Sequence, residues 1–375
     1  MSDSFTSSIN LPDFSLWKKI KTRANEGLFS FDLEVTARCN NDCSHCYINL
    51  PAGDTSAKSK ELSLKQISDI ADEAVSMGAL WCLITGGEPL LRDDFFDIYM
   101  NLKRKGLLIS VFTNACLINE KHIELFKKYP PRDIEITVYG VTEKTYEKIT
   151  RKPGSFKAFI KGLDLLLKSG VRVRFKAMAI RSNVHELPLI SKFCRERTKD
   201  YFRFDPQLHL RFDRNPQRNN LIRSERLSAE EIAAVERADD ERFGSLKKNC
   251  DKLINESFCH INCNHLFHCG AGKGSFCVSY DGYFRLCSSL WHPDTTYDLK
   301  KGVLKEAWEK FVPKVRDMRS SRKEFLEKCR KCSLINLCLW CPAHAHLETG
   351  EMDSVIDYFC KVAHARAESL NADIR

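Results

Sequence analysis

The chain has 375 residues, 43% of them hydrophobic, with 17 cysteines and a formal net charge of +9. That length is enough for two domains with ordinary cores. The polar opening MSDSFTSSIN carries no secretory pattern, and no apolar run approaches a membrane span, which argues against a disulfide framework and predicts a cytoplasmic protein.

The first thirty residues offer one short amphipathic stretch, Leu16 to Ile20. A strand–helix alternation follows. Apolar runs rich in β-branched and aromatic residues predict strands at 31–36, 80–85, 107–113, 134–139, 171–180 and 201–204. Between the first two, Leu64, Ile67, Ile70, Ala71, Ala74 and Val75 recur at helical spacing, with Ser63 and Gln66 as a capping box and Gly78 as the stop. Further helices are predicted near 95–105, 121–128, 156–169 and 186–197. Strands joined by helical crossovers form a parallel sheet. The fold class read here is α/β: a partial (β/α)6 TIM-like barrel (residues 31–205) followed by a small cysteine-rich domain (259–362). Residues 206–258 bridge the two, with one helix near 228–238, and 363–375 form a tail. The Arg- and Asn-rich bridge reads either as a solvated linker or as a substrate-facing segment.

Cysteines clustered in a cytoplasmic protein read as metal ligands. In the run RCNNDCSHCY, Cys39, Cys43 and Cys46 follow C-x3-C-x2-C. Three thiolates can hold three irons of a [4Fe–4S] cube and leave the fourth open, and an open metal position usually serves chemistry. Barrel chemistry sits at the C-terminal ends of strands, where the pattern puts both this loop and Gly86-Gly87-Glu88-Pro89. From Cys250 onward, 11 cysteines fall within 111 residues, the densest run being Cys329-x2-Cys332-x5-Cys338-x2-Cys341. Zinc ribbons separate their pairs by about 15–20 residues, so this gap is short for zinc. Cys82, Cys116 and Cys194 lie in or beside apolar barrel segments and read as core residues.

These motifs resemble the radical S-adenosylmethionine (SAM) superfamily, with a C-terminal SPASM extension. The resemblance covers about residues 31–360. It implies a SAM-binding [4Fe–4S] cluster on Cys39, Cys43 and Cys46, two auxiliary [4Fe–4S] clusters that make the small cysteine-rich domain (259–362) an auxiliary-cluster domain, and SAM itself. His45 stands where relatives place an aromatic residue against adenine. Gly86, Gly87, Glu88, Asn114 and Thr137 are further implied SAM neighbours, and Arg151 stands near a carboxylate-binding position. Lys176 either points into the barrel or lies on a solvent face. By position, Cys263, Cys269, Cys287 and Cys341 would hold the nearer auxiliary cluster, and Cys329, Cys332, Cys338 and Cys360 the outer one. The x2 spacing before Cys341 departs from the family's x3, and Cys259 and Cys277 are thiols that could substitute.

The implied reaction is reductive cleavage of SAM to a 5′-deoxyadenosyl radical that takes hydrogen from a substrate. No catalytic residue is assigned. A ribosomally made peptide, crosslinked or oxidised after translation, is the expected substrate. A small-molecule dehydrogenase or cofactor-pathway enzyme is the alternative. Formylglycine formation as in sulfatase maturases fits less well, because Ser288 stands where those enzymes carry an Asp base. An iron–sulfur electron carrier is the contrasting class. The basic charge suits an anionic partner such as a flavodoxin- or ferredoxin-type donor or an acidic peptide; a separate leader-peptide-binding protein is a further expected partner. No nucleic-acid motif and no membrane partner are indicated.

Overall fold

In the computed structural model, residues 27–254, 263–338 and 340–371 are described; the Leu16–Ile20 stretch and Cys259 lie outside them. The described part is built on a nine-stranded sheet. Six strands run parallel in sequential order: β1 (Ser30–Thr36), β2 (Trp81–Gly86), β3 (Leu108–Thr113), β4 (Asp133–Thr137), β5 (Val173–Met178) and β6 (Arg203–Asp205). Each agrees with a predicted strand to within about two residues at either end, β5 being shorter by two at both.

Side chains alternate across each strand. Phe31, Leu33 and Val35 of β1, with Cys82 and Ile84 of β2, enter one large buried cluster. The cluster takes Ile67, Ile70, Ala71 and Ala74 from helix α1 (Leu64–Ser76). The predicted capping box starts this helix: Ser63 Oγ accepts from Gln66 N–H, and Gln66 Oε1 from Ser63 N–H. Helices α2 (Phe95–Arg104), α3 (Glu120–Lys128), α4 (Glu143–Thr150), α5 (Ser155–Ser169) and α6 (Leu187–Arg195) complete the outer layer. Helices on this face leave the other face of the strands to the barrel interior. Polar residues occupy it: Asp32 and Glu34 on β1, Glu135 on β4, Lys176 on β5. Lys176 Nζ lies 2.9 Å from Glu135 Oε1 and 4.0 Å from the centre of the Phe112 ring, so it faces inward.

The segment from 206 onward is more ordered than its composition suggested. It folds as α7 (Pro216–Glu225), α8 (Ala229–Arg237) and α9 (Asp240–Leu253). Helix α8 packs against the last helix of the chain, α11 (Asp357–Asn371). The buried Glu236 joins them by accepting from Arg366 at 2.8 and 2.7 Å.

The cysteine-rich region is not a separate layer. Strand β7 (Ser275–Val278) pairs in parallel with β1 on the edge away from β2. Strands β8 (Tyr283–Arg285) and β9 (Thr296–Asp298) then extend the sheet antiparallel. Phe276 stacks on Phe31 at 5.4 Å, so the apolar core continues from barrel to auxiliary region. Helix α10 (Pro342–Thr349) follows the last dense cysteine run. No helix among the described residues is long and apolar enough to cross a membrane.

Candidate functional site

The loop after β1 carries Cys39, Cys43 and Cys46 at the C-terminal end of the barrel. It is clamped from several sides. Arg38 donates from Nε to Glu61 Oε1 at 2.7 Å and from Nη1 to Ala52 O at 3.0 Å. The last turn of α4 supplies carbonyls: Thr150 O accepts from Asp42 N–H (2.8 Å) and Ile149 O from Ser44 N–H (3.0 Å). Arg151, in the left-handed region at φ 51° as the cap of α4, donates to Asp42 O at 2.9 Å and pairs with its carboxylate.

The bridging segment is a clasp on this loop. The buried Arg211 donates to Asn49 O and Asn49 Oδ1, both at 3.0 Å. Arg218 donates to Asn49 Oδ1 at 2.9 Å and pairs with Asp42 at 2.8 Å. Ser44 Oγ donates to Glu225 Oε1 at 2.9 Å. Sequence reasoning left the role of these Arg and Asn residues open, because their partners lie some 160–180 positions away.

The three thiols converge. Burial pushes the Cys39 thiol far up, and the charges of Glu88 and Cys46 add to it. Burial does the same to Cys43, with Cys46 and Cys39 next. Like charges this close call for a cationic centre to hold them as thiolates. Two buried polar atoms beside them, His45 Nδ1 and Asn41 Oδ1, have no partner among the described residues. His45 lies edge-on to Tyr139 at 5.2 Å, and burial lowers its pKa to about 4, so the ring is neutral. Asn114 Nδ2 lies 3.6 Å from Cys39 Sγ and donates to Asn40 Oδ1 at 2.8 Å. Thr137 closes β4 and is half-buried.

The Gly-Gly-Glu-Pro turn works on the protein's own backbone. A Cβ at Gly86 would meet Thr36 O at 2.1 Å, and one at Gly87 would meet Arg38 O at 2.3 Å. The bare glycines let Gly87 N–H reach Thr36 O (2.7 Å) and Glu88 N–H reach Arg38 O (2.9 Å). Glu88 is fully buried. Its Oε1 accepts from Leu90 N–H (3.1 Å) and Thr113 Oγ–H (2.8 Å), and Oε2 from Asn114 N–H (2.8 Å). Both oxygens therefore hold protein donors, and Glu88 positions Asn114.

In the C-terminal region the thiols sort into groups. The Cys338 thiol is pushed up to about 12 by burial and then by Cys360, Cys329 and Cys332. The Cys341 thiol is pushed up to about 12 by burial and then by Cys287 and Cys269. A cavity of about 260 Å³ is lined by Cys269 and Cys341 of one group, Cys329 of the other, and His268, Arg330 and Trp340. Cys263 stands apart: its Sγ lies 2.9 Å from His265 Nδ1, and His265 Nε2 lies 2.8 Å from Asp317 Oδ1. Cys277 is buried against Arg285, 3.4 Å from Nη2. Among the described residues, no three His, Cys, Asp or Glu side chains gather tightly enough to grip a single metal ion. Cys82 and Cys194 are buried in the core; Cys116 is half-buried beside Asn41 and Asn114.

Residues 33–194 match the model of the radical SAM superfamily. The AdoMet-dependent heme synthase of Methanosarcina barkeri is 22% identical over 341 residues, 85% of this chain and 92% of its own length. The subtilosin biosynthesis protein AlbA of Bacillus subtilis is 29% identical over 155 residues, 41% of this chain and 34% of its own. Among solved structures, Streptococcus suis SuiB bound to its precursor peptide SuiA superposes with a TM-score of 0.67 at 16% identity, covering 92% of this chain and 80% of SuiB. Native anSMEcpe with bound AdoMet gives 0.65 at 14%, covering 92% and 98%. Residues 33–194 are thus a match to the radical SAM superfamily, whose members bind a [4Fe–4S] cluster and SAM, and over 92% of its length the chain shares the fold of SuiB and anSMEcpe.

Proposed function

We propose that Cys39, Cys43 and Cys46 hold a [4Fe–4S] cluster whose fourth iron takes SAM, and that the chain abstracts hydrogen from a peptide substrate. The observation that carries the cluster reading is the grouping of the buried Cys43 with the half-buried Cys39 and Cys46 at the barrel mouth, with His45 Nδ1 and Asn41 Oδ1 unpartnered beside them among the described residues. A cluster held there by Cys39, Cys43 and Cys46 would supply the one-electron reducing power for cleavage of SAM. The protein's share is position and shielding. Asn114 steadies Cys39; Glu88 fixes Asn114; His45, Gly86, Gly87 and Thr137 border the SAM seat; Arg151 holds the loop through Asp42.

For the auxiliary clusters, we assign Cys329, Cys332, Cys338 and Cys360 to the outer site. Cys269, Cys287 and Cys341 go to the nearer one, with Cys263, Cys259 or Cys277 completing it. The sorting of the thiols supports this division.

The peptide reading is supported by the fold shared with SuiB, which binds the peptide SuiA, and with anSMEcpe, which has been solved with bound peptides. Ser288 leaves no carboxylate next to Cys287, which favours crosslinking or oxidation over formylglycine formation. A second reading, action on a tetrapyrrole, is favoured by two relatives that match 85% and 81% of this chain, a heme synthase and an Fe-coproporphyrin III synthase. We further propose a cytoplasmic location and an acidic flavodoxin- or ferredoxin-type donor, in keeping with the net charge of +9.

The test is anaerobic turnover of the reconstituted chain with SAM and dithionite. 5′-Deoxyadenosine above the no-enzyme background separates an enzyme from an electron carrier. Comparing Cys- or aromatic-rich peptides with Fe-coproporphyrin III as stimulants decides the substrate class, and absence of any 5′-deoxyadenosine refutes both.

A further inference from the structure

Arg285 and Glu34 are both 0% exposed and pair through Nη2 and Oε2. Desolvation largely cancels the attraction of such a buried pair, and apolar replacements are often as stable. Three polar atoms around this one have no partner among the described residues: Glu34 Oε1, Arg285 Nε and Trp291 Nε1. The guanidinium carbon lies 3.5 Å from the centre of the Trp291 ring. Stability alone is a poor reason to keep this arrangement.

Its location offers a better one. Arg285 ends β8, two residues before Cys287. Its Nη1 donates to Ser288 O at 2.5 Å, and Nη2 lies 3.4 Å from Cys277 Sγ. The loop that bears Cys287 thus wraps the guanidinium, while Glu34 holds it from β1 of the barrel. We propose that the Glu34–Arg285 pair sets the reduction potential of the auxiliary cluster held through Cys287. The inference rests on the auxiliary-cluster assignment above, though not on any substrate.

Reduction adds one negative charge to a cluster, and the surrounding charges and hydrogen bonds tune the potential. A buried cation next to the cluster loop stabilises the reduced form; a buried anion opposes it, and neither is screened by water. Arg285 donates into the loop at Ser288 O, whereas the hydrogen-bond partner of Glu34 among the described residues is Arg285 itself, so the cation acts more strongly. The two charges must push the potential in opposite directions.

The experiment is an EPR-monitored redox titration of the full chain carrying Cys39→Ala, Cys43→Ala and Cys46→Ala, which leaves only the auxiliary clusters. Arg285→Met should lower the potential of the nearer cluster, Glu34→Gln should raise it, and Arg285→Lys should leave it close to the parent. The outer cluster serves as the internal reference. A merely structural pair would shift both variants the same way; shifts of one sign, or none with the cluster intact, overturn the inference. If Arg285→Met loses the cluster, Glu34→Gln decides alone: an upward shift supports the tuning role and an unchanged potential overturns it. A parent with no nearer-cluster signal overturns the cluster assignment together with the inference, whereas a signal that will not move overturns the inference only.

Discussion

A single methyl group at Gly87 tests whether the Gly-Gly-Glu-Pro turn is the buttress of the cluster loop. Its Cβ would lie 2.3 Å from Arg38 O, 2.5 Å from Ala37 O and 2.8 Å from the Ala37 carbonyl carbon. All three are backbone atoms, so no side chain can swing aside, and β2 must part from the loop by roughly 1 Å in a close-packed interior. Two hydrogen bonds cross that seam, Gly87 N–H to Thr36 O and Glu88 N–H to Arg38 O. Losing both costs about 1 kcal/mol each, and the overpacking adds about 1–3 kcal/mol. The expected loss is about 3–5 kcal/mol, a large share of a typical domain's stability. Urea unfolding of the apo chain measures it, and iron content after reconstitution reports the loop. Gly244→Ala is the control: it lies in α9 with nothing within 4 Å of its Cβ, and should gain up to about 1 kcal/mol. A Gly87→Ala chain within about 0.5 kcal/mol of wild type, with full iron, refutes the buttress.

Replacing Cys39, Cys43 and Cys46 together by Ala should abolish 5′-deoxyadenosine formation and remove about four irons per chain, as measured by chromatography and iron assay; retained product would contradict the assignment. Arg211→Ala leaves Asn49 O without its side-chain donor and Asp213 without its ion pair and should cost about 1–3 kcal/mol, with faster amide exchange over residues 46–50 by mass spectrometry as the local readout. His122 packs among Phe95, Phe96 and Phe126, and burial lowers its pKa from 6.5 to about 4. The unfolded chain then binds the extra proton, so this group's contribution is intact above pH 6.5 and is lost as pH falls towards 4. His122→Gln should flatten that acid-side decline in urea midpoints; an unchanged slope would show that the ring charges freely in the fold.

The six barrel strands and most of the helices between them were legible because their signals are local: period-two apolar runs, a capping box at Ser63, and stops at glycine or proline. Helices α4, α7 and α9 were missed. Their sequences, EKTYEKIT, PQRNNLIRSE and DERFGSLKKNCDKL, are strongly polar: α4 buries a stripe of only Thr145, Tyr146, Ile149 and Thr150, too short to read from sequence, and α7 and α9 carry weaker stripes still. The thiol triad was legible because its three members fall within one loop. Glu88 was legible as a carboxylate beside the SAM motif, but that its oxygens accept from Leu90, Thr113 and Asn114 was not, because Thr113 and Asn114 lie on another strand end.

Composition and spacing alone thus determined a strand–helix barrel, a three-thiolate loop at its mouth and a second store of cysteines downstream. Only the folded chain decided that this second store joins the barrel sheet, that Cys263 stands with His265 and Asp317 while Cys269, Cys287 and Cys341 gather, and that Arg285 meets Glu34. The reason is physical. Strand β7 pairs with β1 across some 245 residues, and Arg285 meets Glu34 across 251. Pairings of that reach depend on which edge is left open and which charge is left buried once everything else has packed, and no local pattern records either.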